Sequence, residues 1–134
     1  MTAGYSRTPL WQKLGVKDGM TACVINPPEG YHDTLLAGAP LALWGDPRPD
    51  CTMTHLFTTE RDELARVLAA TRDSMARDGM IWASWPKKAA KVPTDVTEDV
   101  IRDVCLPMGL VDVKVCAVDA TWSALKLVIR KALR

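Results

Sequence analysis

Val111-Asp-Val-Lys-Val-Cys-Ala-Val-Asp-Ala-Thr-Trp-Ser-Ala-Leu-Lys-Leu-Val-Ile-Arg130 is the stretch that decides the fold. Val111, Val113 and Val115 alternate with Asp112 and Lys114, and Leu125, Leu127 and Ile129 alternate with Lys126 and Arg130, so each run reads as a strand with one wet face. Only Asp119 to Ser123 separates the two runs. A parallel crossover needs about a dozen residues, so the pair must close as an antiparallel hairpin, at the edge of a sheet.

Working back from the hairpin, Thr97 caps a helix whose stripe is Val100, Ile101, Val104, Cys105 and Met108, with Pro107 and Gly109 ending it. Met80-Ile-Trp-Ala-Ser-Trp85 is apolar except for one serine and lies between Gly79 and Pro86, the mark of a buried strand. A longer helix is expected from about Glu60 to Arg77, presenting Leu64, Val67, Leu68, Thr71 and Met75 on one face. Thr59 is its expected cap, Asp62 stands at the capping-box position, and Gly79 suits a left-handed exit. Met20 to Ile25, Leu41 to Trp44 and Met53 to Phe57 read as further strands, and Thr8 to Gly15 as a short capped turn of helix. Strand, helix, strand, helix, strand specifies a parallel sheet with helical crossovers. The fold class is therefore α/β: a Rossmann-like three-layer sandwich, mostly parallel, with an antiparallel C-terminal edge hairpin. That topology resembles a reduced class I S-adenosylmethionine-dependent methyltransferase, and the resemblance carries shape without function.

The 134 residues suit one domain over positions 1–134, and 48% hydrophobic with 25% charged residues exclude disorder and coiled coil. A net charge of +1 does not indicate a nucleic-acid partner, and no apolar run is long enough for a membrane span, so the chain is expected to be cytoplasmic. Cys23, Cys51, Cys105 and Cys116 lack metal-knuckle spacing and read as inert, mostly buried thiols.

Ligands of open α/β sheets bind beyond the carboxyl ends of the strands, where three segments should meet: Asn26 to Tyr31, Ser84 to Pro93, and Asp119 to Ser123. Lys87, Lys88 and Lys91 make the middle segment locally basic, suited to a small anionic or nucleotide-like ligand. Asn26, Glu29, Ser84 and Asp119 supply polar contacts there, and Tyr31, Trp85 and Trp122 the walls. No metal site and no catalytic group is identified. His55, in an apolar run, is expected to be a hydrogen-bonded core imidazole, and His32 is a weaker acid/base candidate.

Asn26-Pro27-Pro28 invites comparison with the Asn-Pro-Pro-aromatic motif of amino-methylating methyltransferases, but it follows the first strand, and Glu29-Gly30 intervene before Tyr31. No Gly-x-Gly loop is present to cradle a cofactor. A reduced S-adenosylmethionine-dependent methyltransferase using the same cleft is one alternative. The other is an interaction module pairing through the edge hairpin, as in a homo-oligomer.

Met1-Thr-Ala-Gly-Tyr-Ser with Thr8-Pro-Leu10, Asn26-Pro-Pro-Glu-Gly-Tyr31, His55-Leu-Phe57, Ser84-Trp-Pro-Lys-Lys-Ala89, Lys91-Val-Pro-Thr-Asp95, and Val111-Asp-Val-Lys-Val-Cys-Ala-Val-Asp119 with Thr121-Trp-Ser123 together resemble the bacterial family called domain of unknown function 3052. The resemblance spans nearly the whole chain and implies no particular chemistry.

Overall fold

The computed structural model describes residues 9–31, 43–45 and 51–134, with 43–45 described in backbone only. Six strands form one sheet: β1 Thr21–Ile25, β2 Leu43–Gly45, β3 Met53–Phe57, β4 Met80–Pro86, β5 Leu110–Ala117 and β6 Trp122–Ile129. Their spatial order is β2-β1-β3-β4-β6-β5, parallel from β2 to β4, with β6 antiparallel to both of its neighbours. The hairpin thus forms at the sheet edge as expected, with β6 tucked inward and β5 outermost.

The strand register sorts side chains onto two faces. On one, Leu56, Ile81, Ala83, Trp85, Leu125, Leu127 and Ile129 pack beneath α2 (Arg61–Ser74) and α3 (Glu98–Cys105). α2 contributes Leu64 and Leu68, with Met75 just beyond its end, and α3 contributes Ile101 and Cys105, all residues that the helical spacing selects. On the other, Ala22, Met53, Phe57, Trp82 and Ala124 pack with Leu14 of α1 (Leu10–Leu14), Val16 and Tyr31. The Trp82 indole N–H donates to the Leu14 carbonyl at 2.9 Å, which pins α1 to the sheet.

Thr97 caps α3 as expected, its hydroxyl accepting from the Val100 N–H at 3.2 Å. The cap of α2 differs. Thr59 makes no cap; the Thr58 hydroxyl accepts from the Glu60 N–H at 3.1 Å and donates to Glu63 at 2.6 Å, while the Asp95 carboxylate accepts from the Arg61 N–H at 2.7 Å. The helix ends at Ser74, so Gly79 is not its left-handed exit. Gly79 is needed for close approach instead, because a Cβ there would lie 3.0 Å from the carbonyl oxygens of Cys51 and Ala76.

Two further expectations are corrected. Cys23 and Cys51 are joined in a disulfide, leaving Cys105 and Cys116 as free thiols. Parallel pairing of β1 with β3 sets the start of β3 beside β1, which brings together cysteines 28 positions apart. In β5 the alternation does not bury its valines: a register shift between Asp112 and Lys114 leaves Val113 and Val115 54% and 52% exposed. The bulge turns Lys114 over the Trp82 ring, 5.9 Å from its centroid. Asp112 is half-buried and accepts from Arg102 of α3 at 2.9 Å. Among the described residues no helix is long and apolar enough to cross a membrane.

Thiol titration of the unreduced, denatured protein is expected to count two free cysteines, and a count of four would contradict the Cys23–Cys51 bond. In urea denaturation, Leu127→Ala is expected to lose about 2–5 kcal/mol and Val113→Ala under about 0.5 kcal/mol. Equal losses would put Val113 back in the core.

Candidate functional site

The carboxyl ends of β1, β3 and β4, with the β5–β6 turn, converge on Phe57. Asn26, which leaves β1 with a left-handed φ of 54°, donates its side-chain amide to the Phe57 carbonyl at 3.4 Å. The ring of Tyr31 meets that of Phe57 edge-on at 5.6 Å, and the Trp122 ring does so at 5.1 Å. The Lys87 N–H donates to the Thr121 carbonyl at 2.7 Å, tying the basic loop to the hairpin turn. Asp119 closes that turn by accepting from the N–H groups of Thr121 and Trp122 at 2.8 and 2.7 Å. Residues from all three expected segments therefore share one rim.

The rim does not use every candidate alike. Asn26, Glu29, Lys88 and Lys91 are exposed, and Lys87, Asp119 and Trp122 are half-buried. Lys88 belongs to a short 3-10 turn, Lys88–Ala90, which Lys91 ends with a left-handed φ of 57°. Trp85 and Ser84 point into the two cores. Trp85 is 8% exposed in the cluster beneath α2 and α3, and Ser84 is fully buried on the opposite face. His32 lies outside the described residues.

Beneath the rim lies a buried polar chain. The Tyr31 hydroxyl is 2.7 Å from Nδ1 of His55, and Nε2 of His55 is 2.7 Å from the Ser84 hydroxyl. His55 also stacks on Phe57 at 4.3 Å. Neutral imidazole has one donor nitrogen and one acceptor nitrogen, and a hydroxyl can answer either, so the set is satisfied without charge. Complete burial lowers the pKa of His55 to about 3, and burial likewise raises that of Tyr31. The expectation of a hydrogen-bonded core imidazole therefore matches the structure. Serine, imidazole and phenol stand in line, and the Ser84 hydroxyl is fully buried.

Sequence reasoning missed Phe57, the hub of the rim, because a lone Phe at a strand end looks like ordinary core. It also missed a groove of about 280 Å³ on the helical face, lined among the described residues by Ile25, Cys51, Thr54 and one flank of α2 through to Met75. Among the described residues no group of three or more His, Cys, Asp or Glu is placed to hold a metal ion.

No family model and no curated protein sequence matches the chain. Solved structures match in fold. A TehB-like S-adenosylmethionine-dependent methyltransferase from Corynebacterium glutamicum is 11% identical, with 96% of this chain and 91% of that one covered, at a TM-score of 0.62. A structure described as a putative methyltransferase from Thermoplasma acidophilum is 7% identical, covering 94% and 76%, at 0.59. Magnesium protoporphyrin IX methyltransferase from Synechocystis, with bound SAH, is 10% identical, covering 84% and 74%, at 0.55. The chain thus has a methyltransferase-like α/β fold; at these identities the likeness is one of fold alone.

With its pKa lowered from 6.5 to about 3, His55 stays neutral in the folded chain while the unfolded chain takes up a proton below pH 6.5. Its contribution is complete above pH 6.5 and is lost as pH falls toward 3, at up to about 1.4 kcal/mol per pH unit. Urea denaturation between pH 7.5 and 4.5 is expected to show a flatter pH dependence for His55→Gln than for the natural chain. Parallel curves would contradict a buried neutral imidazole.

Proposed function

We propose that this chain is a ligand-binding domain on a methyltransferase-like fold, taking a small anionic, nucleotide-like molecule at the rim and lacking catalytic machinery of its own. The observation that carries this reading is the convergence on Phe57 of the Asn26 to Tyr31 turn, the Lys87 loop and the Trp122 turn. In open α/β sheets such a rim is where ligands bind. The loop carrying Lys87, Lys88 and Lys91 lies between Pro86 and Pro93 and is anchored through Thr121, so its backbone needs little ordering on binding. Trp122, half-buried at the rim, supplies an aromatic ring on which a base can stack.

The S-adenosylmethionine alternative gains support from the fold neighbours, several of which hold SAM or SAH. Against it, Pro27 and Pro28 remove two backbone N–H donors from the turn after β1, and His55 is sealed from any substrate. Edge pairing through β5 is disfavoured by the bulge and by Lys114, both of which interrupt a flat strand edge. We infer also that the chain is a member of the domain of unknown function 3052 family, since five of the motifs carrying that resemblance contribute residues to the rim.

Calorimetry with AMP, ATP, SAH and S-adenosylmethionine tests the reading. A nucleotide is expected to bind, and the triple change Lys87→Ala, Lys88→Ala, Lys91→Ala to weaken it about tenfold or more with the fold intact, each charge-assisted contact being worth about 1.5–3 kcal/mol. Tighter binding of S-adenosylmethionine that ignores the lysines would favour the methyltransferase alternative. No binding by any of the four would overturn both.

A further inference from the structure

On the sheet face opposite α2 and α3, the C-terminal edge gathers three lysines. Strand register places Lys126 of β6 between Lys114 of β5 and Trp82 of β4, so the three residues form one row across the sheet. Trp82 belongs to the core on that face, and its indole holds the Leu14 carbonyl, which fixes the end of α1 there. Lys13, the preceding residue, reaches outward from α1 and donates to the Ala117 carbonyl of β5 at 3.3 Å. Lys114 reaches inward, its Nζ 5.9 Å from the centroid of the Trp82 ring. The two side chains therefore span β6 in opposite directions.

Charge says what would fit. Lys114 and Lys126 are directly opposed, and like charges in that arrangement destabilise a strand pair. The ion pairs among the described residues belong to Arg66, Arg72 and Arg102 of the two helices, and none of the three lysines pairs with a described carboxylate. Burial raises the pKa of the Cys116 thiol while the charges of Lys13 and Lys114 act the other way, which puts both ammonium groups near that one residue. Lys13 and Lys126 are half-buried and Lys114 is exposed, so the cluster is open on one side. All three are compact point charges rather than the planar fork that matches a carboxylate, and three positive charges suit a group carrying two or more negative ones.

We propose that this face of the hairpin is a second binding site, distinct from the rim, for the terminal phosphate or pyrophosphate group of a small molecule. The group lies between Lys114 and Lys126, offsetting their repulsion, and Lys13 closes on it from α1. The site does not depend on the rim reading, because no residue is shared between them.

Amide NMR of the full chain titrated with pyrophosphate at constant ionic strength tests the proposal, with succinate as the dicarboxylate control. Saturable shifts at Lys114, Cys116 and Lys126 are expected, weakened about tenfold or more by the double change Lys114→Gln, Lys126→Gln, and about threefold by Lys13→Gln alone. Glutamine keeps much of the stem at positions that are exposed or half-buried, so the folded spectrum should persist. The same shifts are expected to remain after Lys87→Ala, Lys88→Ala, Lys91→Ala, which separates this site from the rim. No shifts at the three residues, binding unchanged in the glutamine variants, shifts lost with the rim lysines, or equal binding of succinate would overturn the proposal. Stronger binding of a short thymidine oligonucleotide lacking terminal phosphates would assign the face to a nucleic-acid backbone and also overturn it.

Discussion

A neutral imidazole held between two hydroxyls is the constraint on which the rest of this structure depends. Tyr31 follows the turn after β1, His55 lies on β3 and Ser84 on β4, so two hydrogen bonds of 2.7 Å stitch three separate stretches of chain across one sheet face. An unpaired imidazole at that depth would cost about 1–3 kcal/mol, and a charged one far more, so the three groups must stay together for the face to remain dry. Phe57 rides on the same arrangement. Stacked on His55 and touched edge-on by Tyr31 and Trp122, it gives the turns at the carboxyl ends of the strands a common floor.

The same economy explains what lies on the opposite face. Two helices cover the sheet there, and the long apolar strand β4 serves both cores, sending Ile81, Ala83 and Trp85 one way and Trp82 the other. The flank of α2 borders a groove of about 280 Å³, lined among the described residues by Ile25, Thr54, Val67 and Met75. A small domain built to this plan presents a basic, aromatic rim at one end of the strands and a narrow apolar groove along α2.

Legibility in the sequence followed the range of the interactions. The hairpin was readable because its alternation and its short connection are local, and α3 because Thr97 caps its own helix. The cap of α2 was not, since Asp95 acts across 34 positions, and the Cys23–Cys51 bond arises from strand register rather than from cysteine spacing. Outward-facing Val113 and Val115 were hidden by a bulge that no residue pattern announces. For the site, the meeting of three turns was legible from strand polarity alone. The inward aim of Trp85 and Ser84 was not, because a continuously apolar strand gives no sign of which face each residue takes.

Long-range proton–nitrogen NMR of the His55 ring between pH 7 and pH 4.5 addresses the central arrangement directly. A single neutral tautomer, with one protonated nitrogen and shifts that do not move over this range, is the result that a sealed imidazole between Tyr31 and Ser84 requires. An imidazolium signal titrating near pH 6.5 in the folded chain would show the ring open to water and would contradict the stitched sheet face.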